Sequence, residues 1–267
     1  MQNADSLCSL EGKVAIVTGA GQGIGRGVAT VFAKAGADVV IAEINAETAA
    51  ETKAELESFG RRVFVTNTDV TDQGSVSRML AESLDALGHV DVLVNNVGGL
   101  VGSPRMVSPI DMDLDYWEGT LKLNLTSCFL CSKALITHWV NLGSPGTIVN
   151  IASLAAMVPF KTSLAYGAAK AGVVSMTATL ATLYGKNGIR VNCIAPGHVK
   201  TPITDQLYKG REEVRAAQDR IIPLGRYGTP IDFGKVAAFL ASDASGYLSG
   251  QTIVASGGMH YFLTEMP

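Results

Sequence analysis

The chain has 267 residues, of which 47% are hydrophobic and 17% charged, a balance that excludes a disordered chain and provides for a large core. The formal net charge is −3 and no basic stripe is present, so nucleic acid is not an expected partner. Neither a signal peptide nor an apolar run of about 18 residues is evident, so we expect a cytoplasmic protein with no membrane span.

Short β-branched runs alternate with longer amphipathic stretches along the chain. Strands are predicted at residues 14–18, 39–42, 63–66, 92–95, 147–151, 190–194 and 252–255. Helices are predicted at residues 23–35, 46–59, 72–87, 116–140, 163–184 and 231–240. This alternation implies right-handed βαβ crossovers. We therefore predict an α/β chain in which residues 1–267 form a single domain, built on a doubly wound, seven-stranded parallel sheet flanked by helices.

A glycine-rich turn, Thr-Gly-Ala-Gly-Gln-Gly-Ile-Gly, follows the first predicted strand at residues 18–25. Gly19, Gly23 and Gly25 let the chain turn sharply and bring a helix N-terminus close to the sheet. Backbone amides and the helix dipole at that place suit a pyrophosphate. Such turns also serve packing alone, but the position at the opening of the first βαβ unit favours a dinucleotide site.

Glu43 follows the second predicted strand. A carboxylate at this position accepts hydrogen bonds from the adenosine ribose and repels the 2′-phosphate of NADP. No Lys or Arg follows it immediately, so NAD is the expected cofactor. The alternative interpretation is a solvated glutamate at a strand end.

Three residues in the second half of the chain suggest proton transfer to or from an alcohol. Ser153 follows the fifth strand, and Tyr166 and Lys170 are four residues apart on one face of a predicted helix. A phenol is a poor base at neutral pH, but a neighbouring ammonium stabilises the phenolate. Tyr166 would then exchange a proton with an alcohol oxygen held by Ser153, while a hydride moves to or from a nicotinamide. A Tyr-x-x-x-Lys pair alone is common on helix surfaces.

In their order and positions, these motifs resemble those of the short-chain dehydrogenase/reductase (SDR) family over nearly the whole chain. The resemblance rests on the glycine turn, Asn-Asn-Val-Gly at 95–98, Asn124, Ser153, Tyr-Gly-Ala-Ala-Lys at 166–170, and Pro-Gly at 196–197 with Thr201. It implies a Rossmann-fold oxidoreductase of the NAD-dependent alcohol dehydrogenase or ketoacyl reductase type. Its substrate would be a small molecule with a CH–OH group or the corresponding ketone.

The resemblance also implies roles for particular residues. The catalytic set would be Asn124, Ser153, Tyr166 and Lys170, with Asn124 kinking its helix and holding a water connected to Lys170. Cofactor contacts are implied for Gly19, Gln22, Gly23, Ile24, Gly25, Glu43, Asp69, Val70, Asn96, Tyr166, Lys170, Pro196, Gly197, Val199 and Thr201. Asp69 and Val70 would contact adenine, Asn95 would steady the central strand, and the Pro196–Thr201 segment would orient the nicotinamide carboxamide.

Three features depart from the family pattern. Val97 stands where alanine is commoner, and Ser256 stands where the family often has an aspartate before two glycines. The aromatic tail at 259–262 is expected either to approach a substrate pocket or to pack at a subunit interface.

A flexible lid over about residues 198–222 is also implied. It carries Tyr208, Lys209, Arg211 and Arg215, which either meet an anionic substrate or are ordinary exposed side chains. The expected pocket walls include Leu154, Met157, Val158, Phe160 and His198. A secondary alcohol, a cyclic diol and a 3-oxoacyl compound are all compatible substrates.

The two longest predicted helices resemble those through which SDR proteins form dimers and tetramers, so we expect a homotetramer. Scattered histidines, and a Cys-x-x-Cys at Cys128 and Cys131 without a second pair, indicate no metal site. One rival hypothesis is a catalytically idle NAD(H)-binding protein that senses redox state, which predicts a damaged Ser/Tyr/Lys set. Another, a nucleotide-dependent epimerase or dehydratase, would need a larger C-terminal region.

Overall fold

The computed structural model describes residues 7–101, 108–159, 164–207, 209–210, 213 and 219–259. The strands are β1 (Val14–Thr18), β2 (Asp38–Glu43), β3 (Val63–Asn67), β4 (Val92–Asn95), β5 (Gly146–Ile151), β6 (Ile189–Pro196) and β7 (Thr252–Ala255). The helices are α1 (Gly23–Lys34), α2 (Ala46–Glu57), α3 (Gln73–Leu87), α4 (Leu114–Leu121), α5 (Ser127–Leu142), α6 (Leu164–Tyr184), α7 (Pro202–Leu207) and α8 (Pro230–Ala241). A π-helical turn, Lys122–Thr126, joins α4 to α5.

The seven strands form one parallel sheet in the order β3-β2-β1-β4-β5-β6-β7. The winding direction therefore reverses between β1 and β4. Ligands of such sheets bind outside the carboxyl ends of the strands near this reversal. The predicted doubly wound, seven-stranded parallel sheet is confirmed.

Both faces of the sheet are covered by helices. Alternate residues of β1 point to opposite faces: Ala15 and Val17 belong to the core under α1, α2 and α8. Val14 and Ile16 belong to the core under α3, α5 and α6. Burial on both faces explains why the strands read as continuous apolar runs instead of alternating with polar residues.

Two glycines allow α1 and α8 to pack closely. A Cβ on Gly27 would lie 2.5 Å from Pro230, and a Cβ on Gly234 would lie 2.5 Å from the Gly27 carbonyl oxygen. No side chain fits at either place without moving a helix. Helix α8 therefore packs firmly against α1, and the N-terminus of α1 lies within the glycine turn.

The structure corrects two predictions. The single helix predicted at 116–140 is interrupted by the π turn, begins at Leu114 and ends at Leu142. The segment between β6 and α8, for which no helix is predicted from the sequence, contains the short helix α7. Ser163, the aromatic tail from residue 260 onward and the lid residues Tyr208, Arg211 and Arg215 lie outside the described residues.

The described ranges lack two further features. None of the helices in these ranges combines the length and apolar character needed to cross a membrane. The same ranges contain no group of three His, Cys, Asp or Glu side chains placed to hold a metal ion.

Candidate active site

A cavity of about 470 Å³ opens where the strands end at their carboxyl side. Its walls include the predicted site residues Gly19, Gln22, Gly23, Ile24, Glu43, Asp69, Val70, Asn96, Ser153, Tyr166, Lys170, Pro196, Gly197, Val199 and Thr201. Two other predicted residues, Gly25 and Asn124, are buried next to wall residues. Residues distant in sequence thus meet in one cavity because parallel strands end at the same edge of the sheet.

The glycine turn is shaped by backbone geometry. Gly19 and Gly23 have φ of 64° and 56°, in the left-handed region that favours glycine. A Cβ on Gly25 would overlap the Gly19 carbonyl oxygen and lie 2.5 Å from Nδ2 of Asn96. That same amide donates hydrogen bonds to the carbonyls of Thr18 at 2.9 Å and Gly19 at 3.2 Å. Asn96, at the end of β4, therefore holds the turn in its open shape.

Glu43 stands at one end of the cavity. Its carboxylate accepts hydrogen bonds from the backbone N–H groups of Gly21 at 3.0 Å, Ile44 at 2.9 Å and Asn45 at 3.1 Å. These bonds fix the direction of the carboxylate without neutralising its charge, since every partner is a neutral amide. The cavity end next to β2 is consequently electronegative.

Asp69 lies beside Glu43 on the same wall. The Thr71 hydroxyl and the Thr71 backbone N–H each donate to its carboxylate at 2.8 Å. These hydrogen bonds hold the pKa of Asp69 below its ordinary value, and Lys122 contributes in the same direction. Asp69 is thus a second fixed carboxylate at this end.

Ser153 and Tyr166 supply hydroxyls to the opposite part of the wall. Ser153 Oγ accepts the N–H of Ala155 at 3.2 Å. Tyr166, in the first turn of α6, is half-buried. Among the described residues, neither hydroxyl donates a hydrogen bond, so both protons are available to a ligand in the cavity.

Lys170 is buried beneath Tyr166. It is 2% exposed, and its Nζ lies 5.7 Å from the centre of the Tyr166 ring. The ammonium donates to the Ile151 carbonyl at 2.9 Å, and no carboxylate of the described residues pairs with it. An ammonium has three donors, and a buried charge is costly unless they are used. Polar oxygens of a ligand in the cavity would satisfy the remaining donors.

Asn124 lies in the π turn and is fully engaged by backbone groups. Its Oδ1 accepts the Gly99 N–H at 2.9 Å, and its Nδ2 donates to the carbonyls of Gly99 at 2.8 Å and Thr120 at 3.0 Å. A Cβ on Gly98 would lie 2.6 Å from Asn124 Oδ1 and 2.7 Å from Lys170 Nζ. The side chain therefore holds the segment against which Lys170 packs, and the distortion of its helix is this π turn.

A buried polar network ties the strands behind the site to the helices. Asn95 Nδ2 donates to Ser132 Oγ at 3.0 Å and to Asn150 Oδ1 at 2.9 Å, and Asn150 Nδ2 donates to Thr177 at 2.9 Å. The thiol of Cys128 also donates to Asn150, at 3.3 Å. Asn95 thus links β4 to β5 and α5, in agreement with the expected role of steadying the central strand.

The cysteines are free thiols, and three of the four are buried. Burial raises the pKa of Cys128 to about 12 and that of Cys193 to about 11, so these thiols stay protonated. Cys131 is buried among apolar residues of the second core. The Cys-x-x-Cys spacing therefore serves packing.

Comparison with known proteins agrees with this geometry. The family model described as enoyl-(acyl carrier protein) reductase matches residues 19–260. The 3-oxoacyl-(acyl-carrier-protein) reductase FabG of Chlamydia pneumoniae is 38% identical over 253 residues, covering 95% of this chain and 99% of that protein. The chain belongs to the short-chain dehydrogenase/reductase family.

Two solved structures share the fold of this SDR. A 7α-hydroxysteroid dehydrogenase complexed with NADH and 7-oxo glycochenodeoxycholic acid has a TM-score of 0.89 and 36% identity, covering 97% of this chain and 98% of its own. A candidate 2-deoxy-D-gluconate 3-dehydrogenase from Agrobacterium tumefaciens with bound NADP has a TM-score of 0.86 and 32% identity, covering 94% and 98%. The family and the oxidoreductase class expected from the sequence are confirmed, as is a nicotinamide dinucleotide as the type of cofactor.

The structure corrects the expected pocket walls of this SDR. Leu154 and Val158 are buried in a small cluster with Ile222 and Met259, and Met157 is exposed at the surface; none of Leu154, Met157 and Val158 lines the cavity. His198 does line the cavity. Phe160 lies outside the described residues.

The cavity wall also contains residues that sequence reasoning missed, among them Thr204 and Tyr227. The Thr204 hydroxyl donates to the Val199 carbonyl at 2.8 Å and accepts the Thr201 N–H at 2.8 Å, which pins the turn into α7. The Thr-x-x-Thr spacing was a usable signal for this turn. No local signal marks Tyr227, because it reaches the cavity through the bridge between Val199 and Gly228.

Proposed function

We propose that this SDR is an NAD(H)-dependent dehydrogenase or reductase that interconverts a secondary alcohol and its ketone. One observation carries the proposal: Ser153, Tyr166 and Lys170 line the same cavity as the glycine turn and Glu43. The same observation disfavours a catalytically idle sensor, because the proton-transfer groups are present and their hydroxyl hydrogens are uncommitted to the described residues.

The residues present fit a nicotinamide dinucleotide. The glycine turn would hold the pyrophosphate, Asp69 and Val70 the adenine, and Val199 and Thr201 the carboxamide. The free donors of Lys170 would bind ribose hydroxyls. When bound, the nicotinamide supplies the hydride acceptor or donor of the reaction.

The proton is handled by this chain's own side chains. Tyr166 accepts the proton of the alcohol oxygen, or donates its own to the ketone oxygen in the reverse direction, and Ser153 donates a hydrogen bond to that same oxygen. Lys170 stabilises the phenolate form of Tyr166 through its positive charge. Asn124 is a positioning residue, since it holds the Gly98–Gly99 segment that packs against Lys170.

The solved neighbours include one with NADH and one with NADP, and the charges near the glycine turn support a preference for NAD in this chain. The fixed carboxylate of Glu43 would repel a 2′-phosphate. Arg26, the cation nearest in sequence to the turn, is bound to Glu55 at 2.8 Å and Glu51 at 3.3 Å. Its charge is therefore already compensated.

The proposal extends to the organisation of the protein: one catalytic domain with a lid over about residues 198–222, a tetramer, and a cytoplasmic location. Free cysteines support a reducing compartment. Phe129 and Leu142 on α5 and Leu183 on α6 are 47%, 66% and 62% exposed, which supports burial of these helices in an assembly. A monomeric mass by light scattering would contradict the tetramer.

The test is turnover by purified protein with NAD(H) and NADP(H) on secondary alcohols, cyclic diols, ketones and 3-oxoacyl thioesters. We expect turnover with NAD(H) on one group of these substrates. Tyr166→Phe should lower kcat by about 10²-fold or more, because it removes the proton donor while leaving the ring in place.

NADH titration of the same variant provides the control and should show nearly unchanged affinity. Activity of Tyr166→Phe equal to that of the wild type would contradict the mechanism. Tight NADH binding by the wild type without turnover of any substrate would favour the redox-sensing alternative.

A further inference from the structure

His198 is a cavity-wall residue to which the proton-transfer mechanism gives no role. It stands two residues beyond the end of β6, as Ser153 stands two residues beyond the end of β5. These strands are paired neighbours, with Ile151 opposite Ile194. In this register Ser153 is level with Pro196, and His198 follows two residues further along the neighbouring strand end.

The imidazole of His198 is fixed in orientation, but one of its nitrogen atoms has no hydrogen-bond partner among the described residues. The Tyr227 ring contacts it edge-on at 5.4 Å between centroids and at an interplanar angle of 64°, which fixes the orientation of the imidazole. Its Nδ1 is buried and has no hydrogen-bond partner among the described residues. An unpaired buried polar atom costs free energy, so such an atom next to a cavity calls for an explanation.

The environment of His198 determines which imidazole nitrogen carries the proton. Burial lowers the pKa of His198, while Asp219 raises it by a smaller amount, so the ring is neutral at neutral pH. A neutral imidazole has one N–H and one lone pair. Leaving the lone pair at the buried Nδ1 is less costly than burying an unpaired N–H there, since orphaned buried donors are the rarer case. The proton therefore resides on Nε2, the other nitrogen of a half-buried ring in the cavity wall.

We propose that His198 is a specificity-determining residue: its Nε2–H donates a hydrogen bond to a second oxygen of the substrate, a few bonds from the reacting carbon. The substrate class is thereby narrowed to secondary alcohols and ketones with a neighbouring hydroxyl or carbonyl. This inference rests on the proposed function and deepens it. A simple aliphatic alcohol would leave the N–H without a partner and react less efficiently.

Matched substrate pairs test the inference. Oxidation of 1,2-cyclohexanediol is compared with that of cyclohexanol, and reduction of ethyl 3-oxobutanoate with that of 2-pentanone. In the wild type, kcat/KM should favour at least one oxygen-bearing member by about tenfold or more. His198→Phe should remove most of that preference, whereas His198→Gln, which places an amide N–H near the position of Nε2, should retain part of it.

The KM for NAD(H) is measured in parallel and should stay within about twofold in both variants, which shows that the nearby Val199–Thr201 segment is undisturbed. An equal fall in kcat/KM for both members of each pair, or no preference in the wild type, would overturn the role of His198 and leave the proposed function standing. Absence of wild-type turnover on both pairs and on the wider substrate panel would instead overturn the proposed function, and this inference with it.

Discussion

The two ends of the cavity are built in different ways. At the dinucleotide end, polar atoms are already paired within the protein: Glu43 accepts three backbone N–H groups, and Asp69 accepts two hydrogen bonds from Thr71. At the substrate end, the hydroxyls of Tyr166 and Ser153, which line the cavity, donate to no described residue. The first end is preorganised, and the second keeps its hydrogen-bonding capacity for a ligand.

This difference suits the two ligands. A dinucleotide presents the same groups in every turnover, so a rigid arrangement of backbone amides and fixed carboxylates binds it without reorganisation. The substrate end has to bind an oxygen whose protonation changes during the reaction, and groups already paired within the protein would be unavailable to it. Changes at the substrate end should therefore reduce the rate, and changes at the dinucleotide end should reduce cofactor binding and selectivity.

The largest effect is expected for Lys170→Met, which replaces the buried ammonium by an apolar chain of similar length. We expect kcat to fall by about 10²- to 10⁴-fold, because the phenolate of Tyr166 loses its stabilising charge. Steady-state kinetics at neutral pH measure the fall in kcat.

Lys186→Met, at an exposed lysine just beyond α6, is the matched control and should behave as the wild type. A wild-type kcat for Lys170→Met would remove Lys170 from the proton-transfer mechanism.

A smaller effect is expected for Gly25→Ala at the dinucleotide end. The added methyl meets the Gly19 carbonyl and the Asn96 amide, so the turn has to open. We expect NADH affinity to weaken by about tenfold or more and the free energy of unfolding to fall by about 1–3 kcal/mol. Fluorescence titration and denaturant unfolding measure the two changes.

Gly185→Ala is the control for that substitution, because its Cβ would meet no atom within 4 Å. Equal NADH affinity in Gly25→Ala and the wild type would mean that the close approach at Gly25 does not shape the cofactor site.

The smallest effect is expected for Glu43→Gln, which removes the charge and keeps one of the two oxygen acceptors that the backbone amides use. The ratio of kcat/KM for NAD to that for NADP should fall by about tenfold, mainly through better use of NADP. Glu47→Gln, in the first turn of α2, is the control and should leave the ratio unchanged. An unchanged ratio in Glu43→Gln would show that another group sets the preference.

Predictions from sequence were most accurate where structure follows from local pattern. All seven strands lie at the predicted places, within two residues at each end, because buried parallel strands are short apolar runs. The π turn was not predicted as such, because it accompanies hydrogen bonds between Asn124 and Gly99, which is 25 residues away. Leu154 and Val158 were misplaced for a similar reason: apolar residues beside a motif can face either the cavity or the core.

The sequence by itself determined the doubly wound sheet, the glycine turn and the Tyr166–Lys170 pair, because these depend on periodicity, backbone freedom and spacing within one element. The full set of side chains expected to carry out the chemistry came from the resemblance to a known family. Only the tertiary structure decided how deeply those side chains are buried and which groups they contact. It buries Lys170 with a single carbonyl partner among the described residues, engages the amide of Asn124 with Gly99 and Thr120, and places Tyr227 against His198. Hydrogen-bond satisfaction and burial depend on contacts between distant segments, which no local pattern records.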